Sequence, residues 1–549
     1  MGGGGICLSG GQQLESLANA GGINSVNATT ERIALSALLH DIGKFWSRTR
    51  LDPPFTKDER DYFGTYAHAL WSAHFVERYI GDPEITAWVR MHHKPDSREA
   101  RLISLADWLS SAERAEDAEL PRGKPEAASL ANIFAGIRVD AAASRETPTY
   151  FPLVQHDDFG PQFMPSPSVT TSETDYCALW EAFLHAVESL KGPTLDLTTW
   201  LALMRRFCSR IPAATPTTLR GYLPDINLYD HSRSVAALAA CFAADETTEA
   251  KASAIQEAMV SGRGTLADEP LCQLVCGTLS GIQDFLYTIV SKQAAKTLRG
   301  RSFVLQLAAE VCAEQTCIHA CVPACCVIYC GGGRFFALLP LGADVPDIQS
   351  RLSGRVLDHF HGQVALHLGA VTLTANDFKG NSFAAQWSKA GMEANRLRTQ
   401  RLTQLAASDY DKAFGFLDEG GADHKCGVCG RNDATTALDE TPICNDCSYY
   451  ANIGKALRTA RWLVRTNTSH APEGFNEFCV LFGYELHLVD RPNSRLPRMQ
   501  QVIELNGFDL ARTREDLRPP ADISFGYRML AQAWPQSTDG AVKTFEELA

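Results

Sequence analysis

The segment Tyr329-Cys-Gly-Gly-Gly-Arg-Phe-Phe336 decides the fold of the middle of the chain. A glycine-rich connection between two apolar runs predicts a β-hairpin. A strand and a long helical stretch precede this hairpin, and a helix and a further strand follow it. The resulting order, β-α-β-β-α-β, is that of the ferredoxin-like fold. The predicted strands are residues 271–279, 324–330, 335–341 and 364–373, and the predicted helices are residues 283–317 and 347–359.

Length and composition indicate a multidomain α+β protein. A chain of 549 residues exceeds the size of a single hydrophobic core, so several domains are expected. No apolar run is long enough for a transmembrane helix, and we expect no membrane partner. The 17 cysteines, an odd number often in apolar contexts, predict free thiols in a reducing, cytoplasmic compartment. The net charge of −13 argues against a uniformly basic nucleic-acid-binding surface but leaves local basic segments at 292–301 and 396–401.

A His-Asp pair closes the apolar helical run Ser36-Ala-Leu-Leu-His40-Asp41-Ile-Gly-Lys44. Hydrolytic metal sites need several imidazole and carboxylate ligands, and a third of the fifteen histidines lie between residues 40 and 93. Asp107 lies on a largely apolar helix, where a carboxylate is costly unless it is paired or metal-bound. We therefore predict a metal site, with Lys44 as a point charge for phosphate and His74 left out as the weakest candidate. The predicted ligands are His40, Asp41, His68, His92, His93 and Asp107.

Two CxxC pairs, Cys426-Gly-Val-Cys429 and Cys444-Asn-Asp-Cys447, are separated by fourteen residues. This spacing predicts tetrahedral coordination of one zinc ion by four thiolates. A closed site of this kind has no open position for a substrate. We therefore predict a structural zinc.

The predicted hairpin tip, Gly331 to Arg334, carries no carboxylate. Nucleotidyl transfer with two metals needs acidic residues at such a position, so this unit alone should not catalyse it. Glycines still permit close approach of a nucleotide to the backbone, and arginines supply charge to phosphates. The predicted nucleotide or phosphate contacts are Ser280, Arg299, Arg301, Gly331, Gly332 and Gly333.

The order of the motifs along the chain carries a family resemblance. Besides the His-Asp segment, the hairpin and the cysteine pairs, it rests on several further motifs. These are His68-Ala-Leu-Trp-Ser72, His92-His93-Lys94, Ile103-Ser-Leu-Ala-Asp-Trp-Leu-Ser-Ser111, Pro224-Asp-Ile-Asn-Leu-Tyr-Asp-His231, Ser280-Gly-Ile-Gln-Asp-Phe285 and Leu298-Arg-Gly-Arg-Ser302. The chain resembles the large subunit of type III-A (Csm) CRISPR interference complexes, the Cas-ten/Csm-one family, from about Glu31 onward.

The resemblance implies an all-α HD domain that cuts single-stranded DNA with Mn²⁺, Ni²⁺ or Co²⁺. Its metal positions match His40 and Asp41, and less rigidly His68, His92, His93 and Asp107. It also implies a role in antiviral defence with other complex subunits, crRNA and target RNA as partners. A second palm with a Gly-Gly-Asp-Asp motif converts ATP to cyclic oligoadenylates in the family.

The expected domains follow from the resemblance together with the sequence patterns. A further helix in the connector is expected to begin near Asp230, with Asp230 or Ser232 as its N-cap. The expected domains are a flexible tail (1–27), the HD nuclease domain (28–118), a helical connector (119–262), the first ferredoxin-like palm (263–378), a helical region with the four-cysteine zinc module (379–465), and a linker toward a missing second palm (466–549).

The chain departs from the family in that no Gly-Gly-Asp-Asp occurs, the nearest string being Gly420-Gly-Ala-Asp423. We expect a fragment, a split gene product or a natural loss of the second palm. Cyclase activity is then expected only if another chain supplies that palm. Two other functions stay open: a scaffold subunit that anchors the crRNA complex without chemistry of its own, and a stand-alone HD phosphohydrolase acting on nucleotides.

Overall fold

The computed structural model of the chain describes most of the sequence, apart from segments at both ends and several loops. The predicted tail (1–27) and the end of the predicted linker lie largely outside the described residues. The described residues are 26–49, 51–112, 127–136, 148–156, 163–190, 192, 196–214, 223–262, 265–287, 294–415, 425–430, 432–438, 441–466, 478–481, 484–491 and 499–530.

The N-terminal part is helical, as predicted. Side chains of Asn27, Thr56, Asp82 and Ser97 accept hydrogen bonds from backbone N–H groups at the first turns of their helices, which fixes where these helices begin. The helices are α1 (Ala28–Leu39), α2 (Ile42–Ser47), α3 (Lys57–Phe63), α4 (His68–Tyr79), α5 (Pro83–Met91), α6 (Arg98–Ser110), α7 (Glu173–Glu188), α8 (Leu197–Cys208), α9 (Leu228–Ala244) and α10 (Glu249–Ser261), with a short strand pair β1 (Leu130–Ala131) and β2 (Tyr150–Phe151) between α6 and α7.

Helix α9 belongs to the same core as the predicted HD domain. It packs against α1 and α6, and its apolar side, including Val235, Leu238 and Phe242, is fully buried. The sequence analysis assigned α9 to a separate connector that begins at residue 119. The predicted HD domain (28–118) and the predicted connector (119–262) instead share one core. The helices on both sides of that boundary bury their apolar faces against each other.

The palm has the predicted ferredoxin-like topology. Its elements are β3 (Pro270–Ser280), α11 (Ile282–Tyr287), α12 (Ala294–His319), β4 (Val327–Gly331), β5 (Arg334–Leu339), α13 (Val345–Phe360) and β6 (Ala365–Thr374). The antiparallel sheet has the strand order β4-β5-β3-β6. The predicted α+β fold class is therefore confirmed. The hairpin tip is shorter than predicted: Gly331 ends β4, and only Gly332 and Gly333, both at positive φ, form the turn.

Helix α14 (Ser382–Leu397) covers one face of the palm sheet. A Cβ atom on Gly369 of β6 would overlap the backbone of Ala394, so glycine permits this close approach. Trp387 of α14 stacks on Phe336 of β5 with ring centroids 3.6 Å apart. Two short helices, α15 (Thr403–Ser408) and α16 (Tyr410–Phe414), follow.

The four-cysteine module is fixed to the palm by one helix pair. Strands β7 (Thr436–Leu438) and β8 (Thr441–Ile443) lead into α17 (Asn445–Ala456), which packs along α12. Gly300 of α12 and Gly454 of α17 lie at the crossing, where a Cβ atom on either would overlap backbone of the other helix. The close crossing therefore depends on both glycines.

A second sheet occupies the region that was predicted as a linker. It contains β9 (Trp462–Thr466), β10 (Phe478–Leu481), β11 (Tyr484–Val489), β12 (Met499–Leu505), helix α18 (Leu510–Leu517) and β13 (Ser524–Arg528), in the order β10-β11-β9-β12-β13. Only β12 and β13 are parallel. Arg465 donates to Glu314 of α12 at 3.0 Å, which attaches the sheet to the palm. The linker prediction was wrong for these residues because their strands are short and lack a strong alternating pattern.

None of the helices in the described ranges combines the length and the apolar character that a bilayer crossing requires.

Replacing Gly454 with Ala should destabilise the protein by several kcal/mol, since the new Cβ atom would overlap the backbone of Lys296 in α12. Gly391→Ala is the matched control, because its Cβ atom would meet no neighbouring atom. This second variant should be neutral or more stable by about 0.5–1 kcal/mol, since Ala restricts the unfolded chain. Chemical denaturation of both variants checks the difference, and equal stabilities would contradict the proposed helix crossing.

Candidate metal centres

His40 and Asp41 lie at a break between two helices. His40 is the C-cap of α1 and Asp41 is the N-cap of α2, and the Asp41 side chain makes no capping hydrogen bond. Both side chains are fully buried. The break therefore turns both polar side chains into the interior, where their neighbours have to come from other helices.

Gly43 brings one of those helices close. A Cβ atom on Gly43 would overlap the backbone of His68 and Ser72 in α4, and the Gly43 N–H donates to the Ser72 hydroxyl at 2.8 Å. The φ angle of Gly43 is not positive, so the backbone conformation does not require glycine here. Glycine is required because a side chain would not fit between the two helices. This contact places His68, the first residue of α4, next to Asp41.

The first candidate metal cluster consists of His40, Asp41, Asp107 and His231. Each offers one ligand atom, and these atoms all lie within 4.8 Å of one another. The Nε2 atom of His231 is 3.1 Å from Asp107 Oδ1 and 3.4 Å from Asp41 Oδ2. The Nε2 atom of His40 is 3.3 Å from the same Asp41 oxygen. Two imidazoles and two carboxylates therefore converge on one point.

The second candidate cluster consists of Asp41, His68, His92 and His93. Asp41 Oδ1 is 3.2 Å from His68 Nε2, which in turn is 2.8 Å from His93 Nε2. Asp41 therefore belongs to both clusters, with Oδ2 toward the first and Oδ1 toward the second. Asp41 would therefore help to hold a cation in either cluster.

The hydrogen bonds of the rings suit metal binding. Nδ1 of His40 is 2.7 Å from the Ala37 carbonyl and Nδ1 of His92 is 2.6 Å from the Val89 carbonyl, so in each neutral ring Nδ1 donates and Nε2 keeps its lone pair. Within the described part of the chain, the buried Nε2 atom of His92 has no hydrogen-bond partner, whereas the buried Nε2 atoms of His40 and His231 face the carboxylates of Asp41 and Asp107. A buried polar atom without a partner is costly, and a bound cation would satisfy His92 Nε2.

The charges of the clusters also call for a cation. Burial raises the pKa of the Asp41 carboxyl, but the charges of Lys44 and His40 outweigh it and hold the pKa well below the usual range. Burial lowers the pKa of His40, yet Asp41 and Asp107 raise it to about 10. Burial lowers the pKa of His92 to about 3, which keeps this ring neutral. The two carboxylates therefore require positive charge beside them. A proton on His40 would supply this charge, and so would divalent cations bound in the clusters.

Lys44 contacts Asp41 directly. Its Nζ atom donates to Asp41 Oδ2 at 2.5 Å. One helical turn brings Lys44 back over the carboxylate, which gives it a partner within the cluster. The predicted contact of Lys44 with a phosphate stays a prediction.

His231 was missed as a site residue. The sequence analysis placed the start of its helix near Asp230, with Asp230 or Ser232 as the cap, whereas Asn227 caps α9 and His231 lies in the first turn. A polar residue on the buried face of an apolar helix is the signal that identified Asp107, and it applies to His231 as well. His74 lies outside both clusters, with Nδ1 3.7 Å from Glu77.

The predicted nucleotide contacts on the palm divide into two groups. Arg301 is only 4% exposed, and it donates to the Phe285 carbonyl at 2.6 Å and to Cys447 Sγ at 3.5 Å. Arg299 donates to the Gly454 carbonyl at 2.8 Å. Both arginines hold α17 against α12, and their contact with a phosphate stays a prediction. Ser280 is buried beside His367, with 2.8 Å between Oγ and Nε2. Gly331, Gly332 and Gly333 lie at the hairpin, and their contact with a nucleotide stays a prediction.

The four cysteines form the third candidate metal cluster. The Sγ atoms of Cys426, Cys429, Cys444 and Cys447 all lie within 4.8 Å of one another. The backbone N–H of Val428 donates to Cys426 Sγ at 3.4 Å, and that of Cys447 donates to Cys444 Sγ at 3.5 Å. Such N–H···S bonds stabilise thiolates, which are the form that binds metal.

Sequence profiles of two known domains match the chain. The HD domain matches residues 7–112, and domain B of the Csm1 subunit matches residues 271–414. A curated relative from Methanocaldococcus jannaschii, the CRISPR system single-strand-specific deoxyribonuclease Cas10/Csm1 (subtype III-A), is 25% identical over 486 residues. The match covers 78% of this chain and 58% of that protein.

The chain is similar to the Cas10/Csm1 proteins over much of its length. The resemblance seen in the sequence is thereby confirmed. The relative of the same description from Mycobacterium tuberculosis is 27% identical over 307 residues, which cover 53% of this chain and 38% of that protein. The chain thus spans less than two thirds of the length of these Cas10/Csm1 relatives.

Solved structures show the same fold. A crystal structure of a Csm1–Csm4 subcomplex in the type III-A CRISPR-Csm interference complex matches with a TM-score of 0.60 and 19% identity. A Csm1–Csm4 cassette in complex with pppApA matches with a TM-score of 0.64 and 19% identity. Both matches cover 94% of this chain and 62% of the solved chain.

Replacing His231 with Ala should weaken binding of Mn²⁺ by about 10- to 100-fold, because it removes an imidazole from the first cluster. His74→Ala, which changes a histidine outside both clusters, should bind Mn²⁺ as the unchanged protein does. Isothermal titration calorimetry on both variants measures the affinity and the number of ions bound. Equal Mn²⁺ binding by the two variants would remove His231 from the ligand set.

Proposed function

We propose that the chain is the large-subunit component of an RNA-guided CRISPR interference complex of type III-A, and that its HD domain hydrolyses phosphodiester bonds in single-stranded DNA. The observation that carries the proposal is the buried Asp41 carboxylate shared by two ligand clusters. Support comes from the Cas10/Csm1 relatives, which are described as single-strand-specific deoxyribonucleases.

The residues would hold one cation in each cluster. Histidine nitrogens and carboxylate oxygens suit Mn²⁺, Ni²⁺ or Co²⁺, which we propose as the resident metals. Bound cations would polarise the phosphate, lower the pKa of a water molecule and stabilise the charge of the transition state. The chain itself contributes the fixed ring orientations of His40 and His92 and the orientation of Asp41 by Lys44.

The substrate would approach where His68 of the second cluster and Asp107 of the first cluster reach solvent. His40, His92 and His231 are closed off from solvent, whereas the side chains of His68 and Asp107 are 15% and 14% exposed. A single-stranded backbone would reach ligands exposed to this small extent, whereas a duplex is too wide and too stiff to do so. The arrangement therefore favours single-stranded DNA as the substrate.

The four-cysteine cluster is proposed to bind one structural Zn²⁺. Four thiolates fill a tetrahedral shell, so no position is open for a substrate. Arg301 donates to Cys447 Sγ, which places a positive charge beside the thiolates and ties the module to the palm.

The palm is proposed to act in nucleotide chemistry only together with a second palm from another chain. Its hairpin tip consists of glycines followed by Arg334 and offers no carboxylate for metal ions. Other complex subunits, crRNA and target RNA are the proposed partners, in line with related Csm1 chains solved together with Csm4. A cytoplasmic location is part of the proposal, since none of the fifteen cysteines whose side chains are described forms a disulfide.

Incubation of the purified protein with labelled single-stranded DNA and Mn²⁺ tests the nuclease proposal. The unchanged protein and the His74→Ala control should cut the single strand, and a matched duplex should stay intact. The double variant His40→Ala/Asp41→Ala should lose cleavage, since it removes ligands from both clusters. Cleavage that persists in the double variant would identify a contaminating nuclease, and absence of cleavage by the unchanged protein would favour the scaffold role.

Replacing Cys447 with Ser should reduce the zinc content from one ion per chain to near zero and lower the melting temperature, since a structural site contributes its binding energy to folding. Cys321→Ser is the control, because Cys321 lies outside the cluster. Elemental analysis together with thermal unfolding measures both quantities. An unchanged zinc content in Cys447→Ser would contradict the proposed site.

A further inference from the structure

Two exposed tyrosines lie beside the second metal cluster. Helix α3 ends at Phe63 and continues as a 3₁₀ turn, Gly64–Tyr66, that leads to His68. Tyr62 is 61% exposed and Tyr66 is 44% exposed. The ring of Tyr66 lies on that of His93, with centroids 4.3 Å apart and planes tilted by 31°. An exposed aromatic face therefore lies one ring away from the candidate ligands.

A lysine contacts one of the two tyrosines. Lys94 directly follows His93, and its Nζ atom is 3.8 Å from the centre of the Tyr62 ring. It also donates to the Tyr62 carbonyl at 2.5 Å. Tyr66, Lys94 and Tyr62 thus form a surface that alternates aromatic faces with a positive charge.

The segment that carries the tyrosines is held in place. Phe63 is buried and packs in a small core with Ala69 and Leu70. Glu59 and Thr56 form a capping box at the start of α3, and Arg90 of α5 donates to Glu59 at 2.8 Å. These anchors fix the backbone and leave the tyrosine rings exposed, which is the property of a prepared binding surface.

We infer that Tyr66, Lys94 and Tyr62 form a stacking surface for unpaired bases of the DNA strand next to the phosphate at the metal cluster. The inference rests on the proposed nuclease function and names the residues that select single strands. Unpaired bases stack on aromatic side chains without regard to sequence, whereas bases in a duplex have no free face. Lys94 would contact the backbone phosphates between stacked bases.

Binding of a fluorescein-labelled oligothymidylate, measured by anisotropy, tests this inference. The measurement uses the full chain with His40→Ala/Asp41→Ala, which prevents cleavage during binding. Adding Tyr66→Ala should weaken binding by about 5- to 100-fold, the range expected for loss of one stacked base. Tyr62→Ala should also weaken binding, and it touches no candidate ligand. Tyr66→Phe keeps the aromatic face and should bind normally.

Two controls separate stacking from other effects. Tyr410→Ala removes a tyrosine that is 67% exposed on α16 and should leave binding unchanged. An abasic oligonucleotide of equal length should bind Tyr66→Ala and the Tyr66 parent alike, because it has no base to stack. If Tyr66→Ala and Tyr410→Ala bind the oligothymidylate with equal affinity, the inference is overturned. A protein partner is then the expected occupant of the surface. If binding depends on the tyrosines but the unchanged protein does not cleave DNA with Mn²⁺, the nuclease proposal is refuted. The stacking surface is retained in that case.

Discussion

One buried carboxylate, that of Asp41, constrains the N-terminal half of the protein. Both of its oxygens face imidazoles, Oδ2 those of His40 and His231, and Oδ1 that of His68. A charge buried to this extent is unstable unless positive groups surround it, so the helices that carry these groups have to meet at Asp41. The helical core is therefore organised around a polar centre as well as around apolar packing.

The ligands come from helix ends, where side chains can leave the regular helical surface. His40 and Asp41 lie at the break between α1 and α2, His68 begins α4, and His92 is the C-cap of α5. Short links between these helices would by themselves permit many arrangements. Gly43 selects one of them, since only glycine allows α2 to touch the backbone of α4.

The palm and the cysteine module depend on each other in a similar way. Gly300 and Gly454 let α12 and α17 cross at backbone contact, and Arg301 links the Phe285 carbonyl to Cys447. Arg301, which the sequence suggested as a phosphate contact, has a structural role here because the crossing of α12 and α17 encloses it. Loss of metal from the cysteines would therefore reach the palm through this contact.

The sequence by itself determined the palm topology, the four-cysteine cluster and most histidines of the candidate metal clusters, because these depend on local patterns: apolar periodicity, glycine turns and ligand spacing. Only the tertiary structure decided that His231 joins Asp41 and that strands β9 to β13 form one sheet. These features depend on contacts between residues far apart in the chain. Local patterns specify where a helix begins, but the packing of helices decides which of its side chains meet.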